Sequence, residues 1–237
     1  MKIIAVNTAE TSASVALVED GMPVCEEFFS SRVTHSRVLM EMVEQMLTRR
    51  ALISVAEVDG FVAARGPGSF TGLRIGISVV KGLAYATSKP VAGISSLDGI
   101  AWQMAWADRP VLVMMDAKRG EVYCARYGFS NGRLVEKTEE LCVSPEKAVA
   151  LAGGSAVFAG SGALVYRELI EAHIHGLGKG SACFVPGFQN QVRAVALAHA
   201  LFQDTGRLSD DPASILPVYI RRSDAEINYE KHPDRFC

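Results

Sequence analysis

The sequence lacks the cysteine and histidine patterns that mark disulfide frameworks and metal sites. Its 237 residues include five cysteines, which are scattered and form no C-x-x-C pair. Such a set is typical of reduced thiols in a cytosolic protein. No His-x-x-x-His pair occurs, and His173-Ile-His175 is better explained as a solvated helix end than as a pair of metal ligands. We therefore expect no metal site and no disulfide framework.

The sequence also lacks an excess of positive charge and a long apolar run. Its net charge of −2 is too small in magnitude, and of the wrong sign, to bind nucleic acid by charge alone. No apolar segment reaches the roughly 18 residues of a membrane span, and Met1–Ile4 leads directly into a strand pattern, so we expect no signal peptide. With 49% hydrophobic residues, the composition is that of a soluble globular protein, which we place in the cytoplasm.

What the sequence does have is a distinctive glycine-rich stretch, residues 65–86. The apolar run Phe61–Ala64 predicts a short buried strand before it. Gly66-Pro67-Gly68 predicts a turn, because proline fixes φ and glycine tolerates positive φ. Ser69 or Thr71 can cap the helix that fills the rest of the stretch.

The spacing of these glycines does not match a phosphate-binding loop. A Walker loop requires Gly-Lys-Ser/Thr, but Leu73 follows Gly72, and a dinucleotide fingerprint requires a third glycine where Thr71 stands. The bare N–H groups at such a helix start could still hold an anion. Tight packing of the backbone is the favoured interpretation of the glycines.

An apolar strand pattern occurs twice in the chain. Ile3–Ala9 and Val111–Ala117 each read as an apolar strand that ends in Asn or Asp before a small residue. A turn and an alternating strand follow in both cases, at Ser12–Val18 and Glu121–Tyr127. The repeat predicts a duplicated α/β fold with two lobes, each a mixed sheet covered by helices. The predicted units are an N-terminal lobe, a C-terminal lobe and a loose C-terminal tail: residues 1–107, 108–222 and 223–237.

Three motifs connect the chain to a known family. They are Arg65-Gly-Pro-Gly-Ser-Phe-Thr-Gly-Leu-Arg-Ile-Gly with Lys81-Gly-Leu-Ala, then Asp116-Ala-Lys-Arg-Gly-Glu-Val-Tyr123, and finally Pro217-Val-Tyr-Ile-Arg221. With these motifs the chain resembles the bacterial TsaB (YeaZ) family over nearly its whole length. The resemblance implies a reduced form of the actin-like ATPase, sugar-kinase and Hsp70 (ASKHA) fold. It also implies a role in the threonylcarbamoyladenosine modification of tRNA next to the anticodon.

The resemblance further implies a non-catalytic subunit with defined partners. It would bind and activate the paralogous transferase TsaD, and the ATPase TsaE would join the assembled complex. The tRNA would be bound only within that complex, and the chain alone would form a homodimer. No cofactor of its own is expected, since ATP and magnesium would enter only through the partner proteins.

Two cleft positions depart from what a nucleotide-binding member of the fold needs. In that fold, the acid that ends the first strand of each lobe organises phosphate and magnesium. The first position is Asn7, which cannot supply the charge that magnesium prefers. The second is Asp116, but its turn Ala117-Lys118-Arg119-Gly120 lacks paired glycines. Ala159-Gly160-Ser161-Gly162 is similar to an adenosine-binding turn, although a plain strand-to-helix turn is favoured.

Three alternatives from other classes are weighed against this interpretation. A small-molecule kinase or ATPase could use the cleft between the lobes. A glycoprotease-like peptidase could combine Ser69, His35 and Asp116, but no G-x-S-x-G elbow supports that triad. A homodimeric structural protein would show the same surplus apolar surface until a partner was added.

Two predicted helices, His35–Arg50 and Gly72–Ala86, carry more apolar width than one core face needs. We predict that both pack against the equivalent helices of TsaD as a four-helix contact, with Gly72 and Gly76 letting the backbones come close. The predicted interface residues are Leu39, Met40, Val43, Leu47, Gly72, Ile75, Gly76 and Val79. Gly76→Arg is expected to abolish the contact, whereas an unfolded variant would place this stripe in the core.

Overall fold

The structure is a computed structural model that describes residues 1–30, 35–176, 178, 180–203 and 207–221, with the side chains of 35–37 left out. The predicted tail at 223–237 and the side chain of His35 lie outside the described residues.

The first sheet has five strands in the order β3-β2-β1-β4-β5. The strands are β1 (Lys2–Asn7), β2 (Ser12–Glu19), β3 (Met22–Ser30), β4 (Gly60–Gly66) and β5 (Val91–Ser95). Strand β1 pairs antiparallel with β2 and parallel with β4, so the sheet is mixed, as the sequence predicts.

The second sheet repeats this arrangement, with its path running β11-β10-β6-β7-β8 and a short strand β9 beside β7. The strands are β6 (Val111–Lys118), β7 (Glu121–Ser130), β8 (Arg133–Lys137), β9 (Leu141–Val143), β10 (Ala156–Ala159) and β11 (Ala182–Phe184). Strand β6 pairs antiparallel with β7 and parallel with β10, as β1 does with β2 and β4. The predicted duplication is therefore confirmed.

Helices cover both sheets. They are α1 (His35–Gln45), α2 (Phe70–Thr87), α3 (Ser96–Ala101), α4 (Pro145–Ala150), α5 (Ser161–Val165), α6 (Arg167–Gly176) and α7 (Ala194–Phe202). A π-helical turn at Met46–Ala51 extends α1, and three-residue 3₁₀ turns lie at Val55–Glu57, Trp102–Met104, Gly187–Gln189 and Pro212–Ser214. In the described part of the chain, no helix combines the length and the apolar character needed to cross a bilayer.

The apolar run in β1 serves two cores at once. Ile3 and Ala5 face a central core that both sheets share with α3 and α7. Ile4 and Val6 point to the opposite side, where α1 and α2 pack on the first sheet. A strand that is buried on both faces needs apolar residues at consecutive positions, which explains why β1 does not alternate. A third core joins α4 and α6 to the outer face of the second sheet.

The last described segment of the chain returns to the first sheet. Helix α7 contacts β1 and β2, and Ser209 pairs with Val91 through two backbone hydrogen bonds of 2.7 and 2.9 Å. Helix α7 and the segment at Ser209 thus pack on the predicted N-terminal lobe, although they follow the second sheet in sequence. The lobe boundary at residue 107 stays a prediction.

Candidate functional site

Asn7 is the last residue of β1 and is fully buried. Its side-chain Oδ1 accepts a hydrogen bond from the Ala9 backbone N at 2.9 Å. Its Nδ2 donates to the Val192 carbonyl at 3.0 Å, just before α7. Both ends of the amide are therefore engaged in holding the β1–β2 turn and the start of α7 in place.

Asp116 takes the equivalent position near the end of β6. Its Oδ1 accepts from the Lys118 backbone N at 2.8 Å, and its Oδ2 lies 2.6 Å from Lys118 Nζ. The turn that makes this possible places both Lys118 and Arg119 at positive φ. The hydrogen bond with the carboxylate raises the pKa of the Lys118 ammonium. Asp116 thus forms an ion pair within its own turn.

Glu10 connects the two lobes through a hydrogen bond with Ser161, a role that the sequence did not predict. It lies in the β1–β2 turn and accepts a hydrogen bond from the Ser161 hydroxyl at the start of α5. That hydroxyl in turn accepts from the Asp116 backbone N at 3.0 Å. Burial raises the pKa of the Glu10 carboxyl to about 7; the Ser161 hydrogen bond and Lys118 act against the rise, and Asp116 adds to it. The sequence feature that could have indicated this role is the acidic residue in the turn after the first strand.

The turn at Gly160 joins β10 to α5, as the favoured interpretation predicts. Gly160 has φ +104°, and a Cβ there would lie 2.3 Å from the Met114 carbonyl oxygen. Its N–H donates to Asn190 Oδ1 at 2.9 Å. Backbone packing accounts for this glycine.

Asn7 and Asp116, near the ends of β1 and β6, do not fit the magnesium–nucleotide complex that the fold family implies. The Asp116 carboxylate is engaged by Lys118, and Asn7 is engaged by Ala9 and Val192. Among the described residues, no three His, Cys, Asp or Glu side chains lie together as metal ligands would.

The glycine-rich stretch packs against the chain's own first turn. Ser69 caps α2 by accepting a hydrogen bond from Gly72 N at 3.2 Å, as predicted. A Cβ on Gly72 would lie 2.1 Å from the Thr8 carbonyl oxygen, and one on Gly76 would lie 2.4 Å from Thr8 Oγ1. Thr8 Oγ1 also donates to the Gly72 carbonyl at 2.7 Å. The glycines thus permit tight packing, which is the interpretation that the sequence favoured over anion binding.

This packing corrects the predicted role of the glycines at the partner interface. Gly72 and Gly76 are buried and bring α2 close to Thr8, not to another protein. Leu39, Val43 and Leu47 were predicted to face the partner as well, but their exposures are 0%, 2% and 6%. They pack on the outer face of the first sheet.

Three predicted interface residues do reach the surface. Met40 is 48% exposed, and Ile75 and Val79 are half-buried along α2. The half-buried Leu83 and the exposed Gly82 continue the same side of α2. Since α1 and α2 contact each other, their outward apolar groups lie on one side of the first sheet.

The peptidase triad has no support in the described residues. Ser69 acts as the helix cap of α2, and Asp116 is paired with Lys118 in the other lobe. The sequence predicts no catalytic residue in this chain.

Two sheets of matching strand order, joined by a shared core, define a protein of the actin-like ATPase, sugar-kinase and Hsp70 fold in reduced form. Residues 29–229 match the family described as "TsaD: tRNA N6-adenosine threonylcarbamoyltransferase". The chain belongs to this family, and within it to the TsaB (YeaZ) proteins.

Relatives of known structure and name agree with this assignment. The chain is 40% identical to the tRNA threonylcarbamoyladenosine biosynthesis protein TsaB of Escherichia coli over 54% of this chain and 55% of that one. It is 27% identical to the Bacillus subtilis protein of the same name over 97% and 98%. The structure of YeaZ from Pseudomonas aeruginosa superposes with a TM-score of 0.75 at 28% identity, covering 92% of this chain and 99% of that one.

Proposed function

We propose that this chain is a non-catalytic subunit that takes part in the threonylcarbamoyladenosine modification of tRNA by docking onto a TsaD-type transferase and activating it. The observation that carries the proposal is the state of Asp116, whose two carboxylate oxygens both bind Lys118. With Asn7 at the other position, neither of these two strand-end positions offers magnesium an acid free of an ion pair. This favours a partner subunit over a small-molecule kinase or ATPase.

The proposed docking face is the outer side of α1 and α2. Met40, Ile75, Val79 and Leu83 present partly exposed apolar groups there. An apolar patch on two adjacent helices is a common site for a protein partner. In the absence of TsaD, the same patch would pair with a second copy about a two-fold axis. TsaE, ATP and tRNA would join only in the assembled cytoplasmic complex.

Gly82 offers a sharp test of this face. It is exposed in the middle of α2, and a Cβ built on it meets no atom within 4 Å. An alanine or an arginine at this position therefore strains nothing and should add about 1 kcal/mol of helix stability. Only Gly82→Arg places a long charged side chain in the proposed contact, where burying it unpaired would cost several kcal/mol.

The experiment compares the parent chain, Gly82→Ala and Gly82→Arg on a sizing column, each alone and with the TsaD protein of the same organism. We expect the parent and Gly82→Ala to form a homodimer alone and to co-elute with TsaD. Gly82→Arg should elute as a folded monomer in both cases. Co-elution of folded Gly82→Arg with TsaD would show that the interface lies elsewhere. A parent chain that does not bind TsaD would contradict the proposed function itself.

A further inference from the structure

The segment Pro217–Arg221, which we name the strap, begins at the end of β4 in the first sheet. The Val218 backbone N donates to the Arg65 carbonyl at 2.7 Å. The Val218 carbonyl comes so close that a Cβ on Gly66 would lie 2.5 Å from its oxygen. Gly66 also has φ +115°, so glycine is required here both by its conformation and by the approach of the strap.

The middle of the strap holds the first turn of α2. The Tyr219 ring stacks on Phe70 with 4.7 Å between centroids and 26° between planes. Arg74 Nε donates to the Tyr219 hydroxyl at 3.1 Å, and the Arg74 guanidinium lies 3.8 Å from the Phe70 ring centroid. These contacts join the strap to two positions on the same helix face, one turn apart.

The end of the strap reaches the second sheet. Ile220 packs against the central core. Arg221 Nη1 donates to the Ala117 carbonyl at 2.6 Å and to the Lys118 carbonyl at 3.5 Å, and it lies 3.6 Å from Glu121 Oε2. These acceptors form the β6–β7 turn that also contains the Asp116–Lys118 ion pair.

We propose that the strap is a brace that fixes the two lobes relative to each other by joining the start of α2 in one lobe to the β6–β7 turn in the other. Its two ends hold elements of different lobes, and each end is bound by directional contacts: the Val218 and Tyr219 hydrogen bonds on one side and the Arg221 hydrogen bonds on the other. Loosening one end should then also free the element that is held at the other end. A segment that only covered the surface would not couple the opening of α2 to that of the β6–β7 turn.

Amide hydrogen exchange read by mass spectrometry on the free chain tests this coupling. The first variant is Arg221→Ala, and the matched control is Arg126→Ala. The side-chain exposures are 23% for Arg221 and 25% for Arg126, and the Arg126 ion pair with Glu136 joins two strands within the second sheet. A lost charge-assisted hydrogen bond should shift a local opening equilibrium by roughly tenfold.

We expect the backbone amides of Arg221→Ala to exchange roughly tenfold faster at residues 117–121, which Arg221 contacts. We expect the same increase at residues 66–74, which contact the other end of the strap. Arg126→Ala should leave residues 66–74 unchanged. Faster exchange confined to 117–121 in Arg221→Ala would overturn the proposal.

The reverse direction is tested with Tyr219→Ala, which should speed exchange at residues 117–121. If that variant exchanges rapidly even in β1, it has unfolded globally, and Tyr219→Phe replaces it. This milder change keeps the ring stack and removes only the hydroxyl bond to Arg74. An unchanged rate at 117–121 in the folded variant would count against the brace. Because no partner is present, these outcomes do not depend on the proposed function.

Discussion

Replacing Gly76 by alanine is expected to destabilise the fold, although alanine is the better helix former. A Cβ at this position would lie 2.4 Å from Thr8 Oγ1, far closer than two unbonded atoms normally come. The hydroxyl would have to move, and its 2.7 Å hydrogen bond to the Gly72 carbonyl would be lost. The change therefore acts on the contact that seats α2 on the first turn of the chain.

The expected magnitude follows from three contributions. A hydrogen bond lost from a buried group costs about 1–3 kcal/mol, and overpacking a tight contact costs about 1–3 kcal/mol. The gain in helix propensity offsets about 1 kcal/mol. The net loss in the free energy of unfolding is about 1–5 kcal/mol, and each kcal/mol should lower Tm by about 2–4 °C in a chain of this size.

The assay is urea unfolding followed by circular dichroism, with Gly82→Ala as the matched control. That change lies in the same helix but in open space, so it should stabilise by about 1 kcal/mol. Thr8→Ala removes the clashing oxygen and leaves the Thr8 Cβ at 3.6 Å, so in that background Gly76→Ala should no longer cost stability. A stable Gly76→Ala protein, or an equal cost in both backgrounds, would refute the reasoning.

Three further predictions concern the cleft and the cap. Asn7→Asp should lower stability, because a carboxylate would face the Val192 carbonyl that Nδ2 now contacts at 3.0 Å. The same change should create no ATP turnover. Submicromolar, magnesium-dependent ATP binding by the parent chain in calorimetry would contradict the non-catalytic interpretation. Ser69→Ala should cost about 0.5–2 kcal/mol and leave tRNA modification intact in a reconstituted system; a folded, partner-binding variant without activity would restore a catalytic role. The pKa of Glu10 rises from 4.5 to about 7 on folding, so its contribution to stability is full below pH about 4.5 and is lost as the pH rises through about 7. Glu10→Gln should remove this pH dependence of stability in urea titrations between pH 4 and 8. An unchanged dependence in the variant would show that Glu10 does not titrate in that range.

The duplicated sheets could be predicted because their first strands are apolar at consecutive positions. Ile3–Val6 and Val111–Met115 are buried on both faces, and such runs stand out in any sequence. The strands at Leu141–Val143 and Ala182–Phe184 are too short to show a period. Their place in the sheet depends on the neighbouring strand, which the local sequence does not describe.

The burial of the two apolar helices could be predicted only in part, because the width of an apolar face does not reveal what lies opposite it. Helices α1 and α2 lie side by side on one sheet, so each is buried both by the sheet and by the other helix. A helix in that position needs a wide apolar arc for its own core, which is where Leu39 and Val43 are used. The contact of Gly76 with Thr8 is likewise tertiary, since the two residues lie far apart in sequence.

The return of α7 to the first sheet has a consequence for how the chain folds as it is synthesised. Strands β1, β2, β4 and β5 leave the ribosome early, but the helix that contacts the inner face of β1 and β2 ends only at Phe202. At about 5–20 residues per second, several seconds of translation separate the first sheet from its cover. During that interval Ile3, Ala5 and their neighbours present bare apolar surface, so the nascent chain should depend on chaperones until residue 202 has emerged.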